Sequence, residues 1–127
     1  WKYKHPYPWD FFNGMERVSG RELDWFWRAW YAETWMLDQA VESVAAEDDG
    51  ETRIVVANVG RTPMPVLLAI TREGGEVLRR EIPVDVWLSG QRTASIEIPG
   101  GAAVTRVEID PEHAFVDVRR ANNVWTR

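Results

Sequence analysis

No cysteine occurs among the 127 residues, which removes disulfides and thiolate metal ligands and leaves the cellular compartment open. Histidine is nearly as scarce. Only His5 and His113 are present, in different halves and with no His-Glu-x-x-His helix between them. A catalytic zinc usually takes three protein ligands and keeps a position open, so His5 reads as a loop or surface residue and His113 as a turn residue. Positive charge is also short: 15 basic residues face 20 acidic ones, and they are scattered arginines with Lys2 and Lys4 close together. Phosphate binding needs a concentrated positive face, so no nucleic-acid partner is expected. No apolar run approaches the ~20 residues of a membrane span, and no charged-then-apolar signal segment opens the chain.

Other chemistry is equally thin. Neither histidine stands in a recognisable relation to Ser19, Ser43, Ser89 or Ser95, so an activated serine is not expected. Glu47-Asp48-Asp49-Gly50 lacks the alternating carboxylates and the later bidentate Glu of a calcium loop, and reads as a solvated hairpin turn. Gly74-Gly75 and Gly100-Gly101 do not lead into a helix with a following Lys, and they also read as hairpin turns.

What the chain does have is aromatic residues, placed unevenly. Residues 1–36 hold six of the eight Trp, all three Tyr and three of the four Phe. This divides the chain into 1–36 and 37–127. In the first part Pro8 suits the opening turn of a helix and Gly20 suits its left-handed end, which predicts a helix over about 8–18. A second helix is expected over about 21–35, where Leu23, Phe26, Trp27, Trp30 and Thr34 recur at three- and four-residue steps while Trp25 and Tyr31 lie off that stripe.

From Leu37 onward the period changes to two. Ala94, Ile96 and Ile98 alternate with Thr93, Ser95 and Glu97, and Thr105, Val107 and Ile109 alternate with Arg106, Glu108 and Asp110. Further apolar runs at 39–45, 53–59, 66–72, 77–82 and 115–118 are separated by Asp48-Asp49-Gly50, Gly74-Gly75 and Pro99-Gly100-Gly101. Six to eight short strands so spaced predict a mainly β fold: an immunoglobulin-like antiparallel β-sandwich preceded by two short α-helices. An orthogonal barrel is the alternative. Trp87 and Trp125 are the tryptophans of this half. Packing is the expected role for them, the alternative being a free-standing sandwich that recognises peptide or glycan through exposed aromatics.

The helical part resembles a known family. Lys2-Tyr-Lys-His-Pro-Tyr-Pro-Trp-Asp-Phe-Phe12, then Met15-Glu16, Ser19-Gly20, Leu23-Asp24-Trp25-Phe26-Trp27 and Trp30, resembles the closing helices of the catalytic domain in aminopeptidase N-type zinc metallopeptidases. Thr34 to Val41 is similar to the passage into the sandwich of bacterial members. Val107 to Pro111 and Asp117 to Asn123 are similar to their final strands, with a looser match through Pro63 to Val66 and Val86 to Gly90.

The resemblance implies that residues 1–36 are the last helices of a peptidase domain and that 37–127 are an accessory sandwich. The zinc, its His-Glu-x-x-His and distal Glu, the substrate-amine motif and the oxyanion Tyr would then belong to the missing upstream catalytic domain. No residue of this chain matches them, and Tyr3, Tyr7 and Tyr31 do not take the oxyanion role. This chain is expected to carry no catalytic, cofactor or metal residue, and to meet peptide substrate only through the parent enzyme. Trp1 in place of Met is expected of a processed product or of a boundary inside a longer polypeptide. The stop soon after Asn123 resembles the shorter bacterial forms.

Twelve aromatics, each able to bury on the order of 150–250 Å², exceed what two short helices can hide against each other. Trp25, Phe26, Trp27, Trp30 and Trp35 are therefore the candidate domain-interface residues. The chain on its own is expected to self-associate through 1–36.

Overall fold

Pro8 opens α1 (Pro8–Ser19), at a position where a helix leaves an N–H unbonded in any case. Gly20 ends it as expected: its φ is +67° and its N–H returns to the Glu16 carbonyl at 2.9 Å. Met15 and Val18 on this helix are exposed, Val18 at 88 %. The computed structural model describes residues 8–20, 22–27 and 36–127, and the chain divides into two units, Trp1–Thr34 and Trp35–Arg127.

The second helix begins later than the sequence suggests. α2 spans Asp24–Trp27, because the N–H of Leu23 is taken by the Glu16 carboxylate at 2.9 Å and the Leu23 carbonyl receives the first helical bond, from Phe26. Residues 21 and 28–35 of the expected helix lie outside the described residues.

The second unit holds seven antiparallel strands in two sheets. β1 (Gln39–Ala46), β2 (Thr52–Asn58) and β5 (Thr93–Ile98) form one sheet in the order β1-β2-β5. β3 (Val66–Arg72), β4 (Val77–Ile82), β6 (Val104–Ile109) and β7 (Val124–Thr126) form the other in the order β4-β3-β6-β7. This is the immunoglobulin-like sandwich, with one difference from the constant-type arrangement: the fourth strand pairs with the third and not with the fifth.

The core lies between the sheets. Ile54 and Val56 of β2, Val66, Leu68 and Ile70 of β3, Ile98 of β5, and Val107 and Ile109 of β6 are buried at two-residue steps, as period-two strands require. Burying such a side chain fully is worth about 1.5–3 kcal/mol. The short helix α3 (Asp85–Leu88) adds Trp87 to this core.

Asp48-Asp49-Gly50 and Gly74-Gly75 turn the β1-β2 and β3-β4 hairpins, as expected. Gly100-Gly101 does not turn a hairpin, because β5 and β6 belong to different sheets and the turn carries the chain across the sandwich. There the Arg72 guanidinium lies under the crossing, and its Nη2 donates to the Pro99 carbonyl.

Four readings near the C-terminus are corrected. The run at 115–118 is not a strand. Asp110 accepts the N–H groups of Ala114 and Phe115, which closes a turn, and the stretch contributes only a single parallel bridge, Asp117 to Leu37. Asn122 and Asn123, likened to a final strand, lie in a 3-10 helix (Arg120–Asn123) that delivers the chain to β7. Asp110 itself, expected on the polar face of its strand, is 2 % exposed. On β6 a register shift lets Val104, and not Thr105, complete the buried face.

Candidate functional site

The residues that concentrate hydrogen bonding lie where the chain enters the sandwich. Two loops at one end of the sheets close on the segment 36–39. From 59–62, the N–H groups of Val59 and Gly60 reach the Asp38 carbonyl at 2.7 and 3.0 Å, and those of Arg61 and Thr62 reach the Met36 carbonyl at 3.1 and 3.2 Å. Such close approach needs glycine at position 60. A Cβ there would run into the Met36 carbonyl oxygen and lie 2.8 Å from the Asp38 nitrogen.

The loop 110–123 closes from the other side. Asp117 accepts the Gln39 N–H at 2.9 Å through Oδ2 and the Arg119 N–H at 2.8 Å through Oδ1. Val118 donates to the Leu37 carbonyl at 3.0 Å, and the Asn122 amide donates to Asp38 Oδ1 at 2.8 Å. Asn123, turned so that its nitrogen faces acceptors, reaches the Gln39 carbonyl at 2.6 Å, Asn122 Oδ1 at 3.0 Å and Asp117 Oδ2 at 3.2 Å. Leu37, Asp38, Gln39 and Asn123 are buried, and burial makes such bonds costly to lose.

The Gln39 side chain continues inward. Its Nε2 donates to the Met64 carbonyl at 3.0 Å, and Trp87 Nε1 donates to the same carbonyl at 2.9 Å. One acceptor thus joins the entry strand, the 59–65 loop and α3.

The loop 110–123 is held in shape by a second centre. Asp110 takes a positive φ of 49°, and its carboxylate accepts Ala114 N at 2.8 Å, Phe115 N at 2.9 Å and Arg120 Nη1 at 3.0 Å. Arg120 also donates to the Phe115 carbonyl. Burial pushes the Asp110 carboxyl up. The backbone N–H groups of Phe115 and Ala114 and the Arg120 guanidinium outweigh it, and the net shift is below the usual carboxylate range.

The residues nominated from the sequence are distributed as follows. Trp25 and Phe26 are half-buried, and their rings meet edge to face at 5.8 Å and 87°. Trp27 ends α2. Trp30, Trp35 and His5 lie outside the described residues. Trp87 is in the sandwich core and Trp125 packs against it. His113 is exposed, with φ +54°, and its N–H closes the turn onto the Asp110 carbonyl at 3.0 Å. Ser89 spends its hydroxyl on the Val86 carbonyl at 2.7 Å.

Among the described residues no group of three or more His, Cys, Asp or Glu is placed to hold a metal ion, and no helix is long and apolar enough to cross a membrane. An open groove of about 340 Å³ is lined by Leu67, Leu68, Arg79, Arg80, Pro111 and their neighbours, and Arg79 there is paired with Glu112 at 3.0 Å.

The clamp residues Asp38, Gln39, Asp117, Asn122 and Asn123 were not nominated from the sequence. The available signal was a concentration of carboxylates and side-chain amides at the first strand and in a late loop poor in glycine, a composition suited to holding backbone groups. No family model, no curated protein and no solved structure matches the chain.

Proposed function

We propose that this chain is the non-catalytic C-terminal region of a zinc aminopeptidase-like enzyme, in which the sandwich braces the peptidase domain. Two lines support the reading. The first is the resemblance of residues 2–41 to the closing helices of that family and the passage beyond them.

The second, which carries the bracing role, is the clamp on segment 36–39. A sandwich tethered by a loose linker would leave its entry strand solvated at the start. Here the Met36 and Asp38 carbonyls, the Gln39 N–H and carbonyl and the Asp38 carboxylate are all engaged by two loops. The first described residues of the sandwich, 36–39, are therefore held by the sandwich's own loops, which is what a bracing module would need at its entry.

Zinc, on this reading, belongs to the upstream domain. Among the described residues the donor set does not fit it: there is no cysteine, the one histidine is an exposed turn residue, and no three His, Asp or Glu side chains are placed to hold an ion. The chemical step is assigned to no residue here. Glycan or peptide stacking on Trp87 finds no support in the geometry, since the ring is 6 % exposed and its N–H is already bonded.

The test has two arms. The reading frame upstream of Trp1 should encode His-Glu-x-x-His followed by a distal Glu, and a frame without them would sink the peptidase assignment. In the parent protein, removing 37–127 should lower the yield of folded enzyme and its thermal midpoint. Unchanged stability and turnover after that deletion would reject the bracing role alone.

A further inference from the structure

β5 is the outermost strand of the three-stranded sheet. In the constant-type immunoglobulin arrangement the fourth strand lies along this edge. Here β4 pairs with β3 instead, and among the described residues no strand pairs with the outer side of β5.

The groups this edge presents follow from the ladder. In an antiparallel pair, opposed residues alternate between those that exchange both N–H···O bonds and those that exchange none. The Asn58 N–H donates to the Arg92 carbonyl at 2.9 Å, and the same register runs on through Ala57 opposite Thr93 to Thr52 opposite Ile98. Arg92 is thus at a bonded position, and so are Ala94, Ile96 and Ile98 at two-residue steps. The N–H and C=O groups of Thr93, Ser95 and Glu97 point away from β2, into the open edge.

Natural sheets protect such edges with bulges, charges or short strands. The other three edges of this sandwich have those devices. β1 carries a register shift between Val41 and Ser43, β4 carries the exposed run Arg79-Arg80-Glu81, and β7 is three residues long. β5 has no bulge, no proline and no basic residue, and Glu97 is its one charge.

We propose that two copies of this chain pair through β5, antiparallel about a two-fold axis at Ser95. In that register Thr93 opposes the partner's Glu97, Ser95 opposes the partner's Ser95, and Glu97 opposes the partner's Thr93. All of these are outward-bonding residues, so the pairing forms about six backbone hydrogen bonds. On the inward face Ala94 opposes the partner's Ile96 and the reverse. Both are half-buried in the single copy, and the second strand covers them further. Glu97 meets a polar neutral residue and no like charge. Sliding by two residues loses a bonded pair, and placing the axis at Glu97 sets two carboxylates against each other. The edge is self-complementary in shape of bonding, apolar cover and charge together, and a second copy satisfies all three. The inference does not depend on the peptidase reading.

A contact of this size falls in the weak class, below ~1,200 Å², and weak, concentration-dependent association is expected. The experiment is sedimentation velocity on the full 127-residue chain across concentration, with amide exchange read at Thr93, Ser95 and Glu97. Ser95→Pro removes the central N–H, which points outward, and leaves the β2 ladder intact. Ser95→Lys sets two ammonium groups across the axis and carries the test should the proline variant fail to fold.

The wild type should dimerise with rising concentration, with the three edge amides becoming protected. Each folded variant should raise the dissociation constant at least tenfold. Three results would overturn the proposal: a monomer at every concentration the chain reaches in solution, association unchanged in the variants because another surface such as 1–36 drives it, or edge protection that arises only when an unrelated extended peptide is added.

Discussion

Asp117 accepts the backbone N–H of Gln39 at 2.9 Å, tying together residues 78 positions apart. The same carboxylate also orders its own loop through Arg119 and meets the Asn123 amide. It stands between the start of the sandwich and the 3-10 helix that leads into its last strand.

Asp117→Ala removes an acceptor of charge-assisted bonds, each worth ~1.5–3 kcal/mol. A drop in thermal midpoint on the order of 10 °C is expected. Amide exchange at Gln39 should accelerate more than at Ile54, which is buried in the middle of β2. If Gln39 stays as protected as in the wild type, the clamp does not hold the entry strand.

Gly60→Ala tests the same joint from the other loop. The added methyl meets the Met36 carbonyl oxygen, a backbone atom that cannot swing aside as a side chain would. Overpacking of this kind costs ~1–3 kcal/mol. Because the methyl also displaces the bonds from residues 59–62 to 36–38, the upper part of that range is expected in chemical denaturation. A loss below ~0.5 kcal/mol would mean that the loop retreats freely.

What could be read from the sequence and what could not differ for a physical reason. Val66–Arg72 and Val77–Ile82 were legible to the residue because two apolar runs flank a glycine pair that suits a tight turn. Helix α1 was legible because Pro8 and Gly20 act locally. The run at 115–118 misled because its apolar residues imitate a strand, while the deciding contact, Asp110 to Ala114 and Phe115, depends on a buried carboxylate that reads as surface. The clamp was illegible for a related reason. Its partners lie up to 84 positions away in the chain, as with Asn122 and Asp38, and no local period encodes them. The sheet assigned to β4 was likewise not legible, since hairpin signals fix neighbours in sequence and not which sheet an edge strand extends.

Trp87 separates packing from recognition. Trp87→Phe keeps most of the buried ring and deletes the N–H, while Gln39 continues to satisfy the Met64 carbonyl. A loss of ~1 kcal/mol is expected, against ~3–5 kcal/mol for Trp87→Ala. Urea unfolding of the two variants measures the difference. A ring kept for ligand stacking would show little stability change in either.

Asp110 gives the fold a dependence on acid whose sign can be worked out. Its carboxyl is held below the ordinary range in the folded chain, so the ionised form is favoured by folding. The stability this contributes is present above the unfolded pKa of about 3.9 and is lost as pH falls from there through the lower folded value. Asp110→Asn should remove that part of the acid sensitivity. Asparagine tolerates the positive φ at this position, so the backbone is not strained, and the change removes the charge together with the acceptor at one of the two carboxylate oxygens. Arg120→Ala should act differently: the carboxylate keeps its backbone donors but loses the guanidinium, its pKa rises, and the onset of acid unfolding moves to higher pH. Stability followed from pH 2 to 7 by circular dichroism measures both shifts. Should Asp110→Asn unfold along the same acid curve as the wild type, this carboxylate is not among the groups that set it.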